Sequence, residues 1–336
     1  MLNFFRDAIS FVIFKIREKK YTFCFFTENE YLIKYLEKKI KKKNINKKII
    51  ISFKKISAKN YPQKIFVIKT KFFQELFFLT LKIKFFYCST PGLSTGIFKK
   101  SKLSDVKYIY IQHSNIGLNM AYEENSFNKF DILQVVNNFQ YNDANEIKKN
   151  NNSKFKIVKT KYYFLENLNL KEKVVNNKYC LIAPTWNTNF FKSNIIETIN
   201  EIMTKNNIKI KIRPHPMSFK YDWRNLKKYK NKYEFDNNKT INFNEIEYLV
   251  TDWSGIFIEY CLLFRKKGIL IETEKKIRNL NYKNYDTIPS EIACRENMGY
   301  ELKINNINKI DNFIKNKKYL LSEEDNKFIN KNFINF

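Results

Sequence analysis

Short apolar runs alternate with longer amphipathic stretches along most of this chain. Tyr21-Thr-Phe-Cys-Phe-Phe26, Lys48-Ile-Ile-Ile-Ser-Phe53, Lys64-Ile-Phe-Val-Ile-Lys69 and Phe85-Phe-Tyr-Cys88 are short and rich in β-branched and aromatic residues, so each predicts a strand. Between them the apolar period lengthens to that of a helix face, over Glu28–Lys43, whose terminal lysines suit the helix dipole, and over Phe72–Ile83. A Gly-bearing turn, Pro91-Gly-Leu-Ser-Thr-Gly96, precedes the alternating run Tyr108-Ile-Tyr-Ile-Gln-His113, which reads as a buried strand ending at His113. Asp131–Val136 predicts a further strand and Gln140–Lys149 a helix.

The stretch Asn167–Asn177 is polar, and it reads as a crossover between domains. The alternation then restarts with strands at Lys178–Pro184, Ile208–Ile212, Tyr248–Thr251 and Lys267–Ile271, separated by helices at Ile195–Lys205, Trp223–Tyr229 and Ile256–Phe264. A basic loop, Lys275–Tyr282, leads into an end that reads as helical and polar. Strands interleaved with helices imply parallel βαβ units. The pattern therefore predicts an α/β protein of two Rossmann-type domains, 1–172 and 173–336, facing each other across a cleft. In such sheets ligands sit at the carboxyl ends of the strands.

Charge changes this picture only in part. The chain of 336 residues carries a formal charge of +29. Most of it is lysine, with arginine confined to positions 6, 17, 213, 224, 265, 278 and 295. No recognised nucleic-acid module accompanies the charge, so the implied partners are anionic membrane surfaces or polyanionic substrates rather than nucleic acid. Residues 1–18 lack a signal-peptide shape, and Leu2, Phe5, Ile9, Val12 and Ile16 share one face of a helical wheel while Arg6, Asp7 and Arg17 lie on another. Such a helix suits either the inner membrane leaflet or its own domain. No apolar run is long enough to span a bilayer, and the five scattered cysteines suit reduced, buried thiols in a cytoplasmic protein, here placed at the inner face of the membrane.

The candidate chemistry is sparse. The only two histidines, His113 and His215, both stand at predicted strand exits, where a side chain able to exchange a proton near neutrality is of use; the plain alternative is that each caps a loop. His215 lies in Arg213-Pro-His-Pro216, a loop stiffened by its prolines, with a guanidinium suited to phosphate oxygens; a rigid surface turn is the alternative. In Thr251-Asp-Trp-Ser-Gly-Ile-Phe-Ile-Glu259 a strand gives way to a helix near Gly255. Asp252 or Ser254 is expected to cap that helix, Gly255 to admit a ligand to the backbone, and the helix start to receive a phosphate, against the alternative of an ordinary capped helix. Ala183-Pro-Thr-Trp186 supplies the Thr185 hydroxyl and an indole that suits a nucleobase or the core equally. Phosphate-loop, nucleophile-elbow and dinucleotide glycine patterns are missing, and no metal or cofactor is called for.

These pieces, in order from Tyr108 to Leu302, resemble the CDP-glycerol glycerophosphotransferase family: the strand ending in His113, Tyr122–Asp131, Ala183–Trp186, Arg213–Pro216, Thr251–Glu259 and Lys276–Tyr282. Residues 1–107 match only in their βα rhythm. The resemblance implies a GT-B-like fold, metal-independent transfer, a CDP-alditol donor and a glycan or glycolipid acceptor. It also implies His113 as general base, His215 as stabiliser of the pyrophosphate and departing CMP, and Arg213, Thr185, Asp252, Ser254 and Gly255 around the donor. The chain departs from the family pattern with Asp252-Trp-Ser-Gly255 where many relatives carry Asp-Tyr-Ser-Ser, Asn187 where an arginine often stands, and Ser114 after His113 where some have glycine. Its length, shorter than that of the polymerases, suggests one-step transfer. A nucleotide-sugar glycosyltransferase of the same shape, and a non-catalytic lipid- or polyanion-binding protein, are the competing readings.

Overall fold

The computed structural model describes residues 2–27, 47–53, 64–94, 98–162, 165, 178–186, 189–236 and 243–334. The expected helix at Glu28–Lys43, the crossover at Asn167–Asn177, the domain boundary, Gly96 and Asn187 lie outside those residues.

The apolar runs form strands because parallel strands are buried on both faces and so tolerate continuous Ile, Leu and Phe. Strand β2 (Lys48–Ser52) and strand β8 (Tyr179–Ile182) are buried along their whole length. The first sheet has seven parallel strands: β1 (Phe23–Phe26), β2, β3 (Lys64–Val67), β4 (Phe85–Cys88), β5 (Lys107–Tyr110), β6 (Ile132–Val135) and β7 (Lys156–Lys159), in the order β3-β2-β1-β4-β5-β6-β7. The second has six: β8, β9 (Lys209–Ile212), β10 (Glu234–Phe235), β11 (Ile246–Thr251), β12 (Gly268–Glu272) and β13 (Gly299–Lys303), in the order β10-β9-β8-β11-β12-β13. In each sheet the chain builds outward on one side of its first strand and then crosses to the other. The strand order therefore reverses between β1 and β4, and again between β8 and β11, the points at which doubly wound sheets open a crevice for ligands.

Helices cover the sheets: α1 (Leu2–Arg17), α2 (Lys71–Thr80) and α3 (Asn138–Asn150) on the first, α4 (Ile195–Lys205), α5 (Ser218–Tyr221), α6 (Trp223–Lys230) and α7 (Ile256–Phe264) on the second. The core of the first half is largely aromatic, with Phe78 against Phe98 at 4.9 Å and Phe14 against Phe77 at 4.9 Å between ring centres. Fully burying such a ring is worth roughly 1.5–3 kcal/mol. All five cysteines are buried and unpaired, as expected. Among the described residues no helix is long and apolar enough to cross a membrane.

Two expectations need correction. The strand expected to end at His113 stops at Tyr110; the Ile111 N–H still donates to the Cys88 carbonyl at 2.8 Å, and residues 112–113 then continue as irregular chain. The chain end is helical as expected over Lys309–Lys315 and Glu323–Ile329, but ahead of these helices it also contributes an unexpected strand, β13, which pairs with β12 along its full length.

Candidate active site

The loop that follows β5 carries His113 and is held from both halves of the molecule. From the first half, the start of α3 binds it: Gln140 Nε2 donates to the carbonyls of Ser114 and Ile116, both at 2.9 Å, and Asn137 Nδ2 donates to the Asn115 carbonyl at 3.2 Å. From the second half, Glu291 Oε2 accepts the Gly117 N–H at 2.7 Å and Ser290 Oγ donates to the Asn115 carbonyl at 3.0 Å. Asp143 Oδ2 accepts the next N–H, that of Leu118, at 2.7 Å. A side chain at Gly117 would sit 2.9 Å from Glu291 Oε2 and 3.1 Å from Asp143 Oδ2, so only glycine passes between the two carboxylates. Burial raises Asp143 to about 7 and pushes Glu291 up as well.

Within this frame burial draws the His113 imidazole down to about 4, so the ring is neutral at pH 7. Its Nδ1 is buried without a hydrogen-bond partner. The His113 carbonyl accepts from the Tyr162 hydroxyl at 3.0 Å, and that hydroxyl lies 2.6 Å from Glu259 Oε1 on α7. Burial raises Glu259 to about 7. One hydroxyl thus joins the His113 turn of the first sheet to a helix of the second.

His215 sits past the end of β9. Its Nδ1 accepts the Met217 N–H at 3.1 Å, so the neutral ring carries its proton on Nε2. Its side chain is exposed at the surface, yet the protein around it lowers it to about 4, assisted by the positive charges of Lys276 and Arg278. Its ring centre is 6.3 Å from that of Trp186. Trp186 is itself enclosed: Lys276 Nζ stands 3.1 Å from its ring centre and the Tyr221 ring stacks at 4.8 Å. Those two groups would overlap on one face, so they occupy opposite faces. Trp186 therefore has no open face for a nucleobase; the indole is the platform for a lysine.

Lys276 also donates to Thr185 Oγ1 at 3.4 Å and to the Trp186 carbonyl at 3.3 Å. Burial, then the charge of Arg278, brings its ammonium down to about 7. Arg278 reaches both halves. Its N–H donates to the Met120 carbonyl at 3.0 Å, and its guanidinium carbon is 5.8 Å from the Trp186 ring centre. Its charge acts on His215 and on Tyr122, whose ring is 6.4 Å from that of His113.

The other sequence candidates are committed within the protein. Arg213 Nη1 pairs with the buried Asp236 at 2.7 Å, which ties the exit of β9 to β10. The fully buried Asp252 accepts the Thr185 N–H at 2.7 Å and the Thr273 hydroxyl at 3.2 Å. Its carboxylate is engaged by Thr185 and Thr273, and α7 starts at Ile256 behind Gly255, a cap position with no side chain. Gly255 does admit a close approach, but by protein: a methyl there would overlap Ile116 Cγ2 of the His113 loop. Ser254 remains half-buried at the β8/β11 crevice.

Sequence reasoning passed over Lys276, Arg278, Tyr162, Glu259, Asp143 and Glu291 as site residues. The basic run at 275–278 was the one local signal; the others are ordinary polar residues until the fold joins them.

A scan against protein-family models gives no match, and a search of curated proteins gives none. Among solved structures the chain is similar to the UDP-GlcNAc 2-epimerase of Methanocaldococcus jannaschii, in complex with UDP-GlcNAc and UDP. The two share 16% identity over 87% of this chain and 91% of that one, at a TM-score of 0.54. It is also similar to Anabaena HepE, in complex with UDP and glucose (9% identity, 88% of this chain and 90% of that one, TM-score 0.47), and to a glycosyltransferase of Rickettsia africae (13%, 88% and 88%, 0.44). The likeness extends to the fold, which is GT-B-like: an α/β architecture of two parallel, doubly wound domains.

Proposed function

We propose that this chain transfers an alditol phosphate, glycerol phosphate first among them, from a CDP-alditol to a hydroxyl of a surface polysaccharide or lipid-linked glycan, releasing CMP at the inner face of the membrane. The observation that carries this reading is the pair Lys276 and Arg278, two cations that both stand over the Trp186 ring, at 3.1 and 5.8 Å, beside His215 at the carboxyl ends of the second sheet. Such a pair costs free energy on its own and is stabilised by a bound polyanion. A diphosphate brings the matching charge, and the half-buried Ser254 hydroxyl and the start of α7 add neutral donors.

In this reading His113 takes the proton of the acceptor hydroxyl. The acceptor oxygen attacks the β-phosphorus, the bond from that phosphorus to the bridging oxygen breaks, and CMP leaves with the electron pair. His215 donates its Nε2–H to a phosphate oxygen, and Lys276 and Arg278 offset the charge that moves onto CMP. Phosphoryl transfer depends mainly on such positioning and charge stabilisation. Arg213, Asp252, Thr185 and Gly255 then act on the donor indirectly, by fixing the loops that surround it.

The architecture shared with a protein solved with UDP-GlcNAc and UDP favours a second reading, transfer of a sugar from a nucleotide sugar. A thermal-shift comparison of CDP-glycerol, CDP-ribitol, CMP-sugars and UDP-sugars separates the two. Stabilisation by CDP-alditols is expected; stabilisation by UDP-sugars alone would replace the leading reading with the second.

A further inference from the structure

Among the described residues, helix α1 is fastened to the molecule by one face. Asp7 is fully buried and accepts the N–H groups of Lys69 and Thr70, at 2.8 and 2.7 Å, ahead of α2. At the other end Glu18 is buried, accepts the Lys82 N–H at 2.6 Å and pairs with Lys15, which also donates to the Thr80 carbonyl. Between these ties Phe14 packs on Phe77 and Phe11 on Phe73. The helix is thus fixed at its start, middle and end.

Its opposite face is apolar and lies in solvent. Phe5, Ile9, Val12 and Ile16 stand at helical spacing with 62%, 62%, 55% and 73% exposure, and Phe72 at the head of α2 adds another exposed ring. Exposed Lys69 and Lys71 lie near one end of this ridge, and exposed Arg17, Lys19 and Lys20 at the other. The acidic side chains of the first twenty residues, Asp7 and Glu18, both point inward. What faces outward is an apolar ridge with cationic ends and no acidic group of its own helix.

We infer that this ridge is a docking surface for an anionic lipid bilayer. The apolar side chains enter the headgroup boundary, and the flanking lysines and Arg17 meet lipid phosphates. A second copy of this chain would bring the same cations against one another, which disfavours self-association through the ridge. The inference deepens the proposed placement at the membrane face and is separate from the transfer chemistry.

The test is flotation of the full-length protein with vesicles of phosphatidylcholine, alone or mixed with phosphatidylglycerol. Binding is expected to need the anionic lipid and to persist in part at high salt, because the apolar contribution is not screened. Phe5→Ser, Ile9→Ser and Ile16→Ser together should lower partitioning by at least about a hundredfold, since each apolar side chain removed is worth roughly tenfold. The single change Ile16→Glu should act in the same direction with less risk to folding. Both variants should keep the wild-type thermal response to CDP-alditols and CMP release with a soluble acceptor, so loss of docking is distinguishable from failure of the transfer reading. Undiminished vesicle binding by both variants would overturn the inference in favour of general adhesion through surface lysine. A wild-type dimer that the triple variant dissolves, with vesicle binding unchanged, would overturn it in favour of self-association.

Discussion

The Tyr162 hydroxyl faces two acceptors and can donate to only one of them at a time. It lies 3.0 Å from the His113 carbonyl and 2.6 Å from Glu259 Oε1. When Glu259 is protonated, its own O–H donates to Tyr162, and Tyr162 donates to His113. When Glu259 ionises, Tyr162 turns to the carboxylate and the His113 carbonyl loses its donor. Burial raises Glu259 to about 7, so the bridge changes state near neutrality. A carboxyl raised in the folded state contributes stability that is full below its unfolded value and is lost as pH rises through the folded one. From the ordinary 4.5 to about 7 this amounts to about 3 kcal/mol at roughly 1.4 kcal/mol per pH unit. Glu259→Gln keeps a permanent donor to Tyr162 and removes the titration. Urea unfolding of wild type and variant at pH 5 and pH 8 should show the variant gaining about 2–3 kcal/mol relative to wild type across that interval. Parallel stability curves for the two proteins would refute the argument.

Gly255→Ala should loosen the contact between α7 and Ile116, at a cost of about 1–3 kcal/mol from overpacking, and differential scanning calorimetry should report a lowered Tm. An unchanged Tm would mean that the His113 loop does not rest on that helix. Lys276 loses its charge as pH rises through about 7, so CDP affinity in calorimetric titration should weaken from pH 6 to pH 8. Lys276→Met should bind roughly tenfold more weakly at pH 6 and show a flat profile; a wild-type slope in the variant would remove Lys276 from the donor site.

Much of the fold is legible because buried parallel strands announce themselves as continuous apolar runs. The helices Ile195–Lys205 and Ile256–Phe264 have the bounds their periodicity predicts. The strands that escape sequence reading lie toward sheet edges. Lys156–Lys159 begins and ends on exposed lysines, Glu234–Phe235 is only a bridge-length pair, and Gly299–Lys303 is polar at alternate positions. Such segments gain their identity from a neighbouring strand and have no strong pattern of their own. The site divides in the same way. His113, His215 and the Arg213 loop stand out as local motifs. Their use is set by partners far along the chain: Asp236 takes Arg213, and Thr185 takes Asp252 from sixty-seven residues away. The Tyr162–Glu259 bridge spans ninety-seven residues. Pairings of that kind leave no trace in spacing. Burial is equally invisible, and it is burial that draws His113 down to about 4 and Lys276 down to about 7.

The central claim is that one imidazole from each half acts on a single diphosphate donor. Single-turnover release of CMP from labelled CDP-glycerol, with host lipid extract as acceptor, tests it directly in wild type, His113→Ala and His215→Ala. Each variant should release CMP at least about a hundredfold more slowly with its fold retained, and His113→Ala should still bind the donor as wild type does. Wild-type release rates in either variant would contradict the claim.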